Sequence, residues 1–220
     1  MVPRREYRAM KIAIIGTGNV GSALARGLKK SSHTVVLGAR DITNKATQDL
    51  AADVGAELAS PAEAAKSAEL VVLAVPWNVA EAAIKALGDL SGKIVIDCMN
   101  PLGMIGGVLE LTLGHTTSGG EIVANWLPGA RVVKTLNQVG AEIMANNVSM
   151  PHRPVMFMAS DDTQAKAIVA TMLTDLGFEP LDAGDIRKSR LLEPFGMVWI
   201  NQALLRGRGR TWAFAAVDRK

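Results

Sequence analysis

Lys11-Ile12-Ala13-Ile14-Ile15-Gly16-Thr17-Gly18-Asn19-Val20-Gly21 is the stretch on which the fold turns. The apolar run Ile12–Ile15 ends in glycine, the pattern of a short strand buried on both faces. Val20, Leu24 and Leu28 then recur at helical spacing. Between strand and helix stands a G-x-G-x-x-G. Gly16 permits the tight turn, Gly18 lets backbone approach a pyrophosphate, and Gly21 lets helix and strand pack together. The helix start adds free N–H groups and partial positive charge for phosphates. A ligand-free glycine turn shares the bare pattern. The strand before it and the helix after it favour a dinucleotide site made of Gly16, Thr17, Gly18, Asn19 and Val20.

The next strand, Thr34–Leu37, leads into Gly38-Ala39-Arg40. An NAD site usually places Asp or Glu there, to bond the ribose 2′-OH. Here Gly38 and Ala39 leave space, and Arg40 offers a planar cation suited to a phosphate. Lys45 and Thr17 can assist. The sequence therefore favours NADP(H) over NAD. Asp41 keeps the second choice open, since a register slip makes it the ribose ligand, and Arg40 also reads as a solvated loop residue.

Strand and helix alternate along the rest of the chain. Ser60-Pro61-Ala62-Glu63 starts a helix, with a capping Ser, Pro at the first helical position and Glu three residues after the cap. Strands are expected at Leu70–Val75, Ile94–Asp97, Arg131–Thr135 and Val155–Ala159, with a helix at Ala80–Leu87. Ser118-Gly119-Gly120-Glu121 caps a helix running through Leu127, and Pro128-Gly129 is a turn. Ala165, Ile168, Val169, Met172, Leu173 and Leu176 mark one helix face that Gly177 stops, and a last helix is expected over Arg187–Leu205. Residues 100–120, rich in Gly and Thr without clear periodicity, read as a functional or mobile loop. The expected fold class is α/β: a Rossmann-type, doubly wound, mainly parallel sheet. Residues 10–150 would form the NADP-binding domain and 151–220 a small C-terminal part closing the substrate site, or the two form one compact domain.

Val75-Pro76-Trp77 follows a buried strand at the carboxyl edge, where open α/β sheets bind ligands. Trp77 can flank the nucleotide or pack in the turn. Asn100-Pro101 and Asn137 fall at the same edge. These asparagines can bond a nicotinamide carboxamide or substrate carbonyl, or satisfy turn backbone. The histidines, His33, His115 and His152, show no metal-ligand spacing, and no serine sits in a nucleophile elbow. His115, in the long loop, is the one histidine placed to approach a substrate. Hydride transfer between two redox cofactors needs mainly alignment, because the cofactors carry the chemistry. No dedicated catalytic residue and no metal are expected.

Composition bounds the rest. The 220 residues are 49% apolar with a net charge of +3. Much of that excess is terminal: Arg4, Arg5 and Arg8 at one end, and Arg206, Arg208, Arg210, Arg219 and Lys220 at the other. No basic face with an accompanying motif marks a nucleic-acid partner, and no apolar run is long enough to span a bilayer. Cys98 is the only cysteine, so no intrachain disulfide forms, which suits a reducing compartment. Arg4-Arg5 and Ala23-Leu24-Ala25 imitate a secretory leader, but cleavage would destroy the glycine fingerprint. The expectation is a cytoplasmic protein whose natural start is Met10, with 1–9 as an extension.

Together the motifs resemble the coenzyme F420-dependent NADP oxidoreductases. The matching residues are Lys11–Gly21, Gly38-Ala39-Arg40, Ala74-Val75-Pro76-Trp77, Asp97-Cys98-Met99-Asn100-Pro101-Leu102, Leu127–Lys134 with Asn137, Asp175–Gly184, and Ser189-Arg190-Leu191-Leu192-Glu193-Pro194. The resemblance implies a Rossmann domain, a homodimer, and direct hydride transfer between NADP(H) and a deazaflavin, F420. Two positions depart from the family pattern. Leu136 stands where an aromatic is usual, and Ala39 replaces a Ser at the 2′-phosphate site. Other readings are reduction of another acceptor (a flavin, a ferric chelate, or a small carbonyl or imine) and a non-catalytic NADP(H)-binding module. Arg206-Gly207-Arg208-Gly209-Arg210 reads as a frayed basic helix end, or as an attractor for the anionic tail of F420.

Overall fold

The computed structural model describes residues 9–219. Arg4, Arg5, Arg8 and Lys220, and nearly all of the expected extension, lie outside them. In chain order the elements are β1 (Lys11–Ile15), α1 (Asn19–Leu28), β2 (Thr34–Gly38), α2 (Lys45–Val54), β3 (Glu57–Ala59), α3 (Pro61–Ser67), β4 (Leu70–Leu73), α4 (Trp77–Lys85) and β5 (Ile94–Asp97). A hairpin follows, β6 (Leu102–Ile105) and β7 (Val108–Leu111), then α5 (Gly119–Trp126), β8 (Arg131–Lys134), α6 (Ala141–Ala145), β9 (Val155–Ala159), α7 (Thr163–Asp175), β10 (Glu179–Gly184) and α8 (Ser189–Ile200). A 3-10 turn, Ile186–Lys188, leads into α8, and a π-turn, Asn201–Leu205, leaves it.

The eight-stranded sheet has the order β10-β9-β8-β5-β4-β1-β2-β3. Six strands, from β8 to β3, run parallel. β9 joins β8 antiparallel at Lys134↔Ala159, and β10 runs parallel to β9. The sheet therefore continues without a break across residue 150. The chain leaves β1 toward β3 and returns to β4 on β1's other side, which puts the switch point of the doubly wound sheet between β1 and β4.

Alternation along the strands separates two cores. Ile12, Ile14, Leu37, Val72 and Ile96 pack with Leu24 and Leu28 of α1 and with α7 on one face. Ala13, Ile15, Val36, Val71 and Val95 pack with Ala64 of α3, Ile84 of α4 and Val123 of α5 on the other. With helices covering both faces, both alternating sets must be apolar, which is why these strands read as unbroken hydrophobic runs.

Four expectations change. β4 stops at Leu73 and β8 at Lys134, because the chain leaves the sheet where the carboxyl-edge turns begin. The helix expected at Ala80 starts at Trp77, with Pro76 at its N-cap. Residues 100–120 are not irregular throughout: Gly106 and Gly107, with φ of 57° and 84°, make a two-residue turn between β6 and β7. The segment after Leu205 is not a frayed helix end but an ordered tail. α2, β3, α6 and β10 had not been expected.

Candidate functional site

The carboxyl edge of the parallel strands is built around the turn after β1. Gly16 has φ of 104°, and a side chain there would strike the Ala74 carbonyl. Its N–H donates to the Gly38 carbonyl at 3.0 Å, tying the turn to β2. At Gly21 a Cβ would lie 1.9 Å from the Gly16 carbonyl oxygen, so helix and strand approach too closely for any side chain. At Gly18, by contrast, a Cβ would meet no protein atom within 4 Å. The space over Gly18 is thus open, and no side chain caps α1. Thr17 receives the Ser22 hydroxyl on its carbonyl at 2.9 Å, which steadies the loop. Free N–H groups at a ten-residue helix start, facing open space, suit a phosphate.

At the end of β2, the Ala39 N–H donates to Ala59 at 3.0 Å. Gly38 serves packing as well as space: a Cβ there would crowd Ile15 and Pro61. Arg40 is exposed and has no hydrogen-bond or ion-pair partner among the described residues. Asp41 turns back on its own loop, accepting from the Thr43 N–H at 2.9 Å and the Thr43 hydroxyl at 2.6 Å. Those bonds hold its carboxyl below the usual range. Lys45 pairs with Asp49 one turn along α2.

Val75, after β4, lies beside the glycine loop, its Cγ1 3.3 Å from where a Gly16 Cβ would stand, and the exposed Pro76 follows it as the N-cap of α4. Trp77 stacks on Trp126 of α5, with centroids 5.6 Å apart at 23°, so one face of its ring is covered by protein. Asn100 and Asn137 meet across the ends of β5 and β8. The Asn100 Nδ2 donates to the Asn137 carbonyl at 2.8 Å, and the Asn137 Nδ2 donates to Asn100 Oδ1 at 2.9 Å and to the Leu192 carbonyl at 3.0 Å. Gln138 completes the network by donating to Asn137 Oδ1 at 2.9 Å. The turn that leaves β8 and carries Asn137 is strained at Leu136, whose φ is 59° although its side chain is fully buried. Pro101 is buried beside Asn100. His115 and His152 are exposed in loops, and His33 accepts from the Met10 N–H at 3.2 Å, beside the amino end of β1.

Beneath this edge lies a charge cluster to which sequence reading assigned no role. Lys134, fully buried, donates to Asp97 at 3.0 Å and to the Met99 carbonyl at 2.6 Å, and pairs with Glu193 at 2.9 Å. Glu193 also accepts from the Gly119 and Gly120 N–H groups at 3.0 and 2.9 Å. It caps α5 from α8. Burial alone would lower the Lys134 pKa, but the Asp97 and Glu193 carboxylates outweigh it and the net direction is upward. Next to Asp97, burial and then the carboxylate push the Cys98 thiol up to about 12, so this thiol is inert as a nucleophile. Arg190 grips Glu121 with two hydrogen bonds, of 2.8 and 2.6 Å, a second link between α5 and α8.

The sequence-derived site residues thus separate. Gly16, Thr17, Gly18, Asn19 and Val20, with Val75 and Pro76, flank the switch point. Gly38, Ala39 and Arg40 adjoin it at the end of β2, while Lys45 is committed to Asp49. Asn100, Pro101 and Asn137 form a separate group toward β8, and Trp77 faces α5. The polar groups named between β5 and β8 are hydrogen-bonded within the protein. Among the described residues, no three His, Cys, Asp or Glu side chains are grouped to hold a metal ion. No helix among them is long and apolar enough to cross a membrane.

Residues 11–101 match the family described as NADP oxidoreductase, coenzyme F420-dependent. The F420-dependent NADP reductase of Methanothermobacter thermautotrophicus is 30% identical over 209 residues, covering 87% of this chain and 88% of that protein. The chain belongs to the F420-dependent NADP oxidoreductase family. A candidate F420-dependent NADP reductase from Arthrobacter sp. FB24 superposes with a TM-score of 0.85 at 34% identity, over 96% of this chain and all of the other. The metalloreductase STEAP3 of Rattus norvegicus is 30% identical over 185 residues. These cover 84% of this chain but only 36% of that larger protein, so the likeness concerns one part of it. The chain is an NADP-dependent oxidoreductase of this family, with its Rossmann-type α/β sheet.

Proposed function

We propose that the protein transfers a hydride between NADP(H) and the deazaflavin F420. The observation that carries this reading is end-to-end similarity to an F420-dependent NADP reductase, 30% identity over nearly all of both chains. When bound, NADPH supplies the hydride. Gly16, Thr17, Gly18, Asn19 and Val20 hold the pyrophosphate on N–H groups and the α1 start. Arg40, unpaired at the end of β2, takes the 2′-phosphate, with Ala39 beside it. Lys45 assists once it leaves Asp49. Val75, Pro76, Asn100, Pro101 and Asn137 line the nicotinamide end, and Trp77 braces that wall through Trp126. The asparagine pair fixes the ring by its dipoles. Residues 151–220 close this end through α8, whose Leu192 carbonyl holds Asn137.

The likeness to STEAP3 favours a second reading, NADPH-dependent reduction of a flavin or ferric chelate at the same edge. An anaerobic assay with NADPH, following F420 absorbance beside FMN, FAD and ferric citrate, separates the two. Rapid bleaching of F420 alone supports the first. Turnover of another acceptor without F420 replaces it with the second. The protein is further read as a cytoplasmic homodimer. Val108 of the hairpin lines a groove with Val198 and Leu205 on the α8 side, and Met104 and Ile105 of the same hairpin are exposed. These exposed apolar side chains support the association reading, and light scattering measures the mass.

A further inference from the structure

The tail after α8 brings an arginine to the phosphate side of the fold. The chain reverses at Gly207 and Gly209, whose φ values are 70° and 82°. The Arg206, Arg208 and Gly209 N–H groups donate back to Asn201, Gln202 and Ala203 at 2.9, 3.0 and 3.2 Å. Further on, Trp212 stacks on Trp199 with centroids 5.8 Å apart, and its carbonyl accepts from the Trp199 Nε1 at 2.9 Å. The Phe214 carbonyl accepts from the Val155 N–H at 3.0 Å. Arg208 is spent on this anchor, its guanidinium 4.4 Å from the Trp212 ring centre. Arg210 lies between the two fixed points.

There its Nε donates to Glu142, in the first turn of α6, at 2.7 Å. Its two terminal nitrogens have no partner among the described residues. Gly140 makes this approach possible, since a Cβ there would lie 2.9 Å from the Arg210 carbonyl oxygen and 2.7 Å from Trp199. Arg210 and Glu142 line a cavity of about 620 Å³ whose other wall includes Thr17, Gly18 and Asn19. The glycine loop has no cation of its own, and Arg26, also on that wall, is committed to Asp53 at 3.3 Å. A dinucleotide pyrophosphate seated on Gly18 would bring two negative charges to a gap that already holds the Glu142 carboxylate.

We propose that Arg210 is a pyrophosphate ligand supplied by the C-terminal tail, its free guanidinium edge closing on the dinucleotide from the side opposite the glycine loop. Glu142 holds the guanidinium by Nε and leaves the fork edge for phosphate, a geometry suited to two parallel hydrogen bonds. The inference rests on the phosphate loop binding NADP(H), and the test separates the two ideas by ligand. ADP-ribose carries the pyrophosphate without the 2′-phosphate, and 2′-AMP carries the 2′-phosphate without the pyrophosphate.

Titration calorimetry on the full chain would compare the unmodified protein with Arg210→Ala and with Arg206→Ala, a change at an exposed tail arginine. Arg210→Ala should raise the Kd for NADPH and for ADP-ribose by about 10-fold, as expected for a charge-assisted contact, and flatten their salt dependence. It should leave 2′-AMP unchanged. Arg206→Ala should leave ADP-ribose binding near the unmodified value. Unchanged affinity of Arg210→Ala for NADPH and ADP-ribose overturns the proposal while leaving the glycine-loop site intact. Equal losses in both arginine variants assign the effect to the general positive charge of the tail and likewise overturn it. Failure of the unmodified protein to bind NADPH removes the reading underneath.

Discussion

Replacing Lys134 by Met removes the cation and keeps most of the side-chain volume. Asp97 and Glu193, 0 and 1% exposed, then face each other without a counter-ion, and the Met99 carbonyl loses its donor. Asp97 keeps the Met99 N–H at 2.9 Å, and Glu193 keeps the two α5 N–H groups. Breaking a buried pair on one side costs about 3–5 kcal/mol. For a chain of this size each kcal/mol moves Tm by about 2–4 °C, so a fall of roughly 6–20 °C at neutral pH is expected. The effect has a sign in pH. The neighbouring carboxylates hold the Lys134 folded pKa above its unfolded value of about 10.4, so the stability it contributes is complete below that value and is lost as pH rises through the folded one; the deficit of the variant is therefore full at neutral pH and narrows only in strong alkali. Replacing the whole cluster, Asp97→Asn with Lys134→Met and Glu193→Gln, should recover much of the loss, because the penalty is an unpaired charge and not the absence of a pair. Melting curves by circular dichroism at several pH values read all of this. A Lys134→Met variant whose Tm stays within about 2 °C at every pH would refute the reasoning.

Gly18→Ala and Gly21→Ala should both weaken binding but differ in stability. The first meets no protein atom within 4 Å, so Tm should hold while the NADPH Kd rises; the second puts a Cβ 1.9 Å from the Gly16 oxygen and should lose both fold stability and binding. Melting and calorimetry on the two variants check this, and equal stability losses would contradict it. Arg40→Ala should weaken NADPH by about 10-fold or more, the worth of a charge-assisted hydrogen bond, and leave NADH nearly unchanged; equal losses with both nucleotides would reject the 2′-phosphate assignment. At the opposite edge of the sheet, Arg131 grips Asp162 at 2.6 and 3.0 Å and holds its carboxyl well below the usual carboxylate range. A depressed folded pKa gives stability above the unfolded value of about 3.9 that is lost as pH falls through the folded value. Asp162→Asn retains an acceptor for the Ala165 N–H and should cost about 0.5–1 kcal/mol at pH 7, a difference that fades in acid; Tm measured from pH 7 to pH 2 reports it.

The parts of the fold that were legible are those whose signal is local. β1 with its glycines, the Ser60–Glu63 capping box and the stop at Gly177 are each complete within a few residues. The hairpin was missed because β6 and β7 are four residues each and half exposed, with Gly103 among them, so neither shows a clean alternation. The Gly106-Gly107 pair was nevertheless a usable turn signal. β10 was missed for a different reason: its Pro180, Asp182 and Gly184 disfavour a strand interior. It stands at the sheet edge, where one side needs no partner, and pairing with β9 overrides the propensity.

The site divides along the same line. The glycine loop and Arg40 could be read because each sits directly after a buried strand. Asn100 and Asn137 could be placed at the carboxyl edge, but not their mutual bonds, which join residues 37 positions apart. The charge cluster is less local still, with Glu193 reaching α5 across 73 and 74 positions. A signal existed all the same. β5 reads Ile-Val-Ile-Asp and β8 reads Arg-Val-Val-Lys, two buried strands that end in opposite charges. A charge that ends a strand covered on both faces must be paired or neutralised. When the topology makes two such strands neighbours in register, Asp97↔Lys134, each supplies the other's counter-ion. Lys134 has three donors, of which Asp97 takes one and the Met99 carbonyl another, and the third calls for an acceptor from a packing helix. In this chain that acceptor is Glu193, and the same demand locks α8 onto the edge where Asn100 and Asn137 are held.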